Sequence, residues 1–308
     1  METRKEIDGW AGGLMLVLCA IWGLQQVALK AAGADIAPIL QLAIRSGIAA
    51  VLVGLLMLAR RERLSLHDGT WRPGLLVGFL FALEFVFVGE GLRYTSASHM
   101  AIFLYTAPIF AALGLHWKLP AERLKPLQWA GIGLAFAGII VSFAGRGGGG
   151  GGDASMMWIG DLLGIAGGMA WAATTLAVRF SALSEASASV TLLYQLLGAF
   201  VILSLAAVAM DQTAVRFTLL SVTSLAFQAI IVSFLSFLVW FSLLRVYLAS
   251  RLGVLSFMTP LFGIGFGVWL LDEPLDANFV AGSLLVLVGI LMVSGHEWIR
   301  QALGRVST

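Results

Sequence analysis

Apolar residues run through this chain in blocks of about 20, separated by short clusters of charge, proline or glycine, and no stretch alternates apolar with polar positions. At 1.5 Å rise per residue, one such block wound as a helix crosses ~30 Å of hydrocarbon. The missing alternation excludes a membrane β-barrel. The pattern predicts transmembrane helices over Gly12–Ala32, Ile36–Ala59, Pro73–Arg93, Ala97–Trp117, Pro126–Ala144, Trp158–Ser181, Ala186–Met210, Leu219–Arg245, Ser250–Leu271 and Ala277–Trp298. The connections are too short for a separate soluble domain. The expected fold class is an all-α membrane protein with ten transmembrane helices.

The second half repeats the first at an offset of 149 to 152 residues. Trp22 aligns with Trp171, Ala28-Leu29-Lys30 with Ala177-Val178-Arg179, and Arg93 with Arg245. Ala97-Ser98 aligns with Ala249-Ser250, Pro108 with Pro260, Glu122 with Glu273, and Gly131 and Gly138 with Gly282 and Gly289. Five spans per half is an odd number, so the second half enters the membrane upside down. The chain is therefore read as two inverted five-helix repeats, residues 1–145 and 158–308, joined by a linker at 146–157. That symmetry places a substrate site near mid-membrane, between the halves.

Composition sharpens this picture. Of 308 residues 59% are hydrophobic and 12% charged, and the mean hydropathy is +0.94. Soluble domains carry about 25% charge. An ordinary cytosolic enzyme, a disordered chain and a secreted disulfide scaffold are excluded. The single cysteine, Cys19, rules out an intrachain disulfide and a cysteine-rich metal site. With the N-terminus inside, fourteen Lys and Arg fall in cytoplasmic segments and four outside, so both termini are expected in the cytoplasm. The six glycines of 147–152 then form an external flexible tether. They follow a membrane span rather than a strand, which argues against dinucleotide binding.

The few polar groups inside the spans form the candidate chemistry, because ionisable residues at that depth are costly. Arg45 lies about nine residues, ~13 Å, from the outer start of span 2, and Glu84 about ten residues, ~15 Å, from the outer end of span 3. Equal depth makes them an intramembrane charge pair, either a static clamp or a pair that opens during transport. Glu90 and Arg93, three apart, are expected to pair at the wet interface, and His99 to be an interfacial polar group. Trp22 and Trp171 sit mid-span and, as repeat equivalents, are expected to face one another as cavity walls. Gln25, Gln26, Phe79, Leu83, Tyr105, Thr175 and Gln228 complete the candidate substrate-binding set. Pro108 and Pro260 interrupt the fourth and ninth spans at equivalent points and are candidate hinges. Glycine-rich faces on spans 5 and 10, such as Gly131-x-Gly133 and Gly138-x-x-x-Ser142, serve internal packing or a dimer contact. No His spacing suits a metal site.

Two five-helix halves, Trp22-Gly23, Arg45, the run Leu92-Arg93-Tyr94-Thr95-Ser96-Ala97-Ser98 leading to Pro108, and Glu122 before Trp129-x-Gly131 resemble the EamA-type exporters of the drug/metabolite transporter superfamily. Tyr194 stands where a basic residue would mirror Arg45. The resemblance covers essentially the whole chain and implies a multi-pass protein of a bacterial inner membrane, similar to amino-acid exporters, including those for aromatic amino acids. A cavity with aromatic walls and uncharged polar groups suits a small amphipathic solute. The expected function is export of neutral or aromatic amino acids by alternating access. The alternatives are a multidrug or nucleoside efflux carrier of the same superfamily, an intramembrane enzyme and a channel. No nucleophile–base pair or carboxylate dyad supports an enzyme, and two halves do not form the ring of groups a selective pore needs. Without a G-K-[ST] motif the chain is not expected to hydrolyse ATP. The expected partners are a small-molecule substrate and the lipid bilayer, with no cofactor and no nucleic acid, in a monomer or homodimer.

Overall fold

A computed structural model describes residues 8–62, 69–118, 123–144, 156–247, 252 and 255–294. Its helices are α1 (Gly9–Ala31), α2 (Pro38–Ala59), α3 (Trp71–Gly91), α4 (Ala97–Leu104), α5 (Ala107–Lys118), α6 (Pro126–Ala144), α7 (Met157–Arg179) and α8 (Ala188–Ala209). A long helix follows, made of α9 (Leu219–Ala226), a π-helical stretch (Phe227–Ser236) and α10 (Phe237–Val246). The last two are α11 (Met258–Leu271) and α12 (Ala277–Ser294). Among the described residues, seven helices are long and apolar enough to cross a membrane, and Pro126–Ser142, Met258–Leu271 and Ala277–Val293 form shorter apolar helices. Glu122, residues 146–155, residues 249–251 and His296 lie outside the described residues.

Local signals set the helix starts. Asp8 accepts from the Ala11 N–H at 2.8 Å, Ser96 from the His99 N–H and Ser187 from the Val190 N–H. Pro38 opens α2, where its missing N–H costs nothing. Thr218 and Ser221 bond each other's backbone reciprocally at the start of α9. Asp272 ends α11 in the left-handed region, at φ 52°.

Tryptophan marks both ends of the bundle. Trp10, Trp71, Trp117, Trp129, Trp158 and Trp269 are exposed and sit in the first or last turn of their helices. Between them lies an outward surface of exposed Leu, Val, Ile and Phe, including Val51, Val201 and Leu284. An apolar band edged by amphipathic rings is the surface a bilayer stabilises. The chain is an all-helical, multi-pass membrane protein.

In lipid the apolar effect does not press helices together, so contact rests on close packing and polar bonds. Glycine supplies the closeness. A Cβ on Gly131 would stand 2.7 Å from the Gly289 carbonyl oxygen, and one on Gly138 would stand 2.6 Å from that of Gly282. The converse distances, from Gly289 to Gly131 and from Gly282 to Gly138, are both 2.5 Å. The α6 and α12 backbones therefore touch in antiparallel register, and this glycine face packs within the chain. Gly78 and Gly198 bring α3 against α8 in the same way, and Gly91 and Gly160 bring α3 against α7. The remaining main contacts join α2 to α8, α1 to α11, α7 to both α4 and α5, and the π-helical stretch to α1 and α2.

Candidate functional site

The span predicted over Ala97–Trp117 is one candidate crossing, Ala97–Lys118, whose helix is interrupted between α4 and α5. Tyr105 and Thr106 form a turn between α4 and α5, in which the Phe103 carbonyl accepts from the Thr106 N–H at 3.2 Å and from the Thr106 hydroxyl at 2.6 Å. Pro108 falls in the first turn of α5, where no N–H is needed, so the ring causes a restart rather than a kink. Pro260 likewise falls in the first turn of α11, where the Thr259 N–H donates to the Ser256 carbonyl at 3.0 Å.

Tyr105, at the first restart, packs edge-on against Trp171 with ring centroids 5.2 Å apart. Trp171 borders the cluster of Phe81, Phe85, Val88 and Leu104. Trp22 belongs elsewhere. Its indole N–H donates to the Ser236 hydroxyl at 2.9 Å, and its ring meets Trp240 edge-on at 5.6 Å. Ser236 closes the π-helical stretch, a widened helical turn frequent at functional sites. The two mid-span tryptophans have separate partners: Trp171 packs with Tyr105, and Trp22 with Ser236 and Trp240.

Arg45 and Glu84 are both buried, on α2 and α3. The Arg45 guanidinium lies 4.4 Å from the Phe85 ring centre. The two side chains lie within each other's electrostatic reach, yet no ion pair joins them among the described residues. Arg45 Nε and Nη1 and Glu84 Oε2 have no hydrogen-bond partner among the described residues.

Gln25 and Gln26 are buried on α1. Gln228 donates to Gln41 Oε1 and to the Ser224 hydroxyl, both at 3.0 Å, while Gln41 donates to the Leu29 and Ile36 carbonyls. That chain ties the π-helical stretch to α2 and to the end of α1. Leu83 is half-buried. Phe79 is exposed beside Leu75 and Leu76, and Thr175 is exposed with its hydroxyl on the Trp171 carbonyl, so both stand apart from the buried cluster.

Call the end of the bundle where α1 finishes the far end. The expected Glu90–Arg93 pair forms there at 2.7 Å, and Gln212 also donates to Glu90. His99, in the first turn of α4, is turned into the protein rather than toward solvent. It is buried, stacks on Phe279 at 3.8 Å, and sets Nδ1 3.1 Å from the Asp161 carboxylate, which also accepts from the Thr95 hydroxyl at 2.5 Å. The start of α4 is caught by Glu273, whose carboxylate accepts from the Ala97 and Ser98 N–H groups at 2.6 and 2.9 Å and from the Ser98 hydroxyl at 2.6 Å. The Lys30 ammonium donates to the carbonyls of Leu92 and Thr95. This knot was missed from sequence, although Asp161, the one acidic residue inside the run Trp158–Ser181, was the signal for it. At the opposite end, a groove of about 550 Å³ opens between α5 and α7, lined by Phe110, Leu113, Trp117, Met169 and Leu176.

Apolar helices girdled by tryptophan, interrupted twice at proline, with polar side chains buried at depth, define a multi-pass membrane transporter. The chain belongs to the EamA-like transporter family, whose model matches residues 9–144 and again residues 158–295. It is similar to the "Uncharacterized transporter YvbV" of Bacillus subtilis, 29% identical over 284 residues and covering 91% of this chain and 90% of that one. It is also similar to proteins named "Probable amino-acid metabolite efflux pump" in Escherichia coli and Salmonella typhimurium. These are 23% identical over 93% of this chain and 96% of the relative, and 25% identical over 91% and 93%. A solved crystal structure shares the fold with a TM-score of 0.64 at 20% identity, covering 92% of this chain and 98% of its own.

Proposed function

We propose that this transporter exports small amphipathic metabolites, foremost neutral or aromatic amino acids, by alternating access between two inverted five-helix repeats. The halves are residues 1–145 and 158–308, linked by 146–157. Together they make ten crossings of a bacterial inner membrane, with both termini in the cytoplasm and the far end outside. The observation that carries this reading is the pair of helix restarts at Pro108 and Pro260, equivalent by repeat. Interrupted spans at matching points of two halves are where carriers of this build hold their substrates.

Other features support it. Exchange the halves and the packing maps onto itself: α6 with α12 and α2 with α8 are self-paired, and α1 with α11 answers α7 with α4 and α5. The Tyr105–Trp171 corner offers an aromatic wall with polar groups nearby, suited to an amphipathic solute. Two relatives carry amino-acid efflux in their names.

The test is transport by purified protein in proteoliposomes, against a panel of neutral amino acids, nucleosides and cationic drugs. Transport of at least one apolar or aromatic amino acid is expected. Transport of nucleosides or drugs with none of the amino acids would overturn the substrate class.

A further inference from the structure

Arg45 and Glu84 are 1% and 6% exposed, on neighbouring helices at one depth. Burying two charges is tolerable when they close on each other with full hydrogen bonding, and an uncompensated buried charge is far more costly. Here the pair stays open. The guanidinium rests one face on Phe85, while Nε and Nη1 at its edge, and Oε2 of the carboxylate, point at no protein partner among the described residues. A clamp that only held α2 to α3 would bring these atoms together.

The unmet atoms specify a ligand. A guanidinium edge matches the two oxygens of a carboxylate in a plane. A carboxylate matches an ammonium, which carries only donors. A molecule holding both groups on one carbon is a free α-amino acid. Tyr105 lies within the field of Glu84 and carries Trp171 on its ring. Gly167, one turn before Trp171, lies beside the Glu84 backbone carbonyl, at 3.6 Å from where a Cβ would be. An apolar side chain leaving the α-carbon therefore meets an aromatic corner. A cation alone would leave Arg45 unanswered, an anion alone would leave Glu84, and a nucleoside answers neither.

We propose that Arg45 and Glu84 are the two recognition poles for zwitterionic substrate, Arg45 taking the α-carboxylate and Glu84 the α-ammonium. This rests on the amino-acid reading above and makes it specific: both termini must be free.

The experiment is counterflow of labelled L-phenylalanine in proteoliposomes, with phenylalanine, its methyl ester and N-acetylphenylalanine as competitors. With the wild-type protein, the free amino acid is expected to compete about tenfold better or more than either blocked form. Glu84→Gln should lose discrimination against the N-acetyl form, and Arg45→Gln against the ester. Arg45→Lys, keeping the charge without the fork, should restore part of it. Equal competition by all three compounds on the wild type overturns the proposal with no variant needed, so a misfolded variant does not protect it. So does an equal loss for all three in both variants, which marks a structural clamp. In either case phenylalanine transport still stands. If neither phenylalanine nor any other amino acid is carried while another solute class is, the amino-acid reading itself fails, and the zwitterion site with it.

Discussion

A methyl group on Gly138 should loosen the bundle, and the size of the effect follows from the α6–α12 seam. The new Cβ would stand 2.6 Å from the Gly282 carbonyl oxygen, 2.7 Å from the Val286 nitrogen and 2.9 Å from the Leu285 Cβ. Two of these are backbone atoms and cannot rotate away. Ordinary contact begins near 3.4 Å, so the helices must part by about 0.8 Å. Overpacking of this kind costs about 1–3 kcal/mol. The parting also loosens contacts among Ile132, Ala135, Val286, Ile290 and Val293, which share one core cluster. A net loss of ~2 kcal/mol lowers the melting temperature by about 4–8 °C. Gly133→Ala is the internal control, because nothing lies within 4 Å of its Cβ. There the better helix propensity of alanine should leave stability unchanged or raised by up to about 1 kcal/mol. The assay is thermal unfolding in detergent, read as the surviving monodisperse peak after heating. If Gly138→Ala melts with Gly133→Ala, the seam is not a close backbone contact. If it instead shifts a concentration-dependent dimer equilibrium at constant melting temperature, the face belongs between chains.

Three further outcomes are expected. Glu273→Ala removes the acceptors for two N–H groups and one hydroxyl at the start of α4, and should cost about 2–4 kcal/mol, measured by unfolding in the same detergent. Asp161→Asn keeps the shape but weakens the bonds to His99 and Thr95, and should cost about 1–3 kcal/mol; an unchanged melting point would deny that knot a role in stability. Trp171→Ala should lower transport of aromatic amino acids at least about tenfold while leaving an intact folded peak, and full transport would remove Trp171 from the site.

Hydropathy located most helices because a bilayer sets their length. The run Trp158–Ser181 became Met157–Arg179, and Ala186–Met210 became Ala188–Ala209. What escaped depends on partners rather than on averages. A window over Ala97–Trp117 sees uniform apolarity and finds the crossing, but Pro108 can sit only where no N–H is owed, and that requirement interrupts the helix within it at Tyr105. His99 looked interfacial because its partner, Asp161, lies 62 positions away in the chain. Arg45 and Glu84 were legible as a pair from matching depth, whereas their failure to touch is a matter of rotamers that spacing does not encode. The shared fate of Trp22 and Trp171 followed from repeat alignment alone. The structure adds that their partners differ: the π-helical stretch offers Ser236 to Trp22, and the α4–α5 turn offers Tyr105 to Trp171.

The glycine seam has one more consequence. Position 131 meets 289 and position 138 meets 282, while 131 is the counterpart of 282 and 138 of 289. The patch that each half offers is thus the same patch, turned over. This is the isologous geometry of a two-fold homodimer, held here inside one polypeptide. A self-matching surface ties the histories of its two copies together, because a bulkier residue accepted in one half spoils the fit of the unaltered residue in the other. The halves are free to diverge elsewhere, as Tyr194 at the position that answers Arg45 already shows, but along this line they remain bound to stay alike.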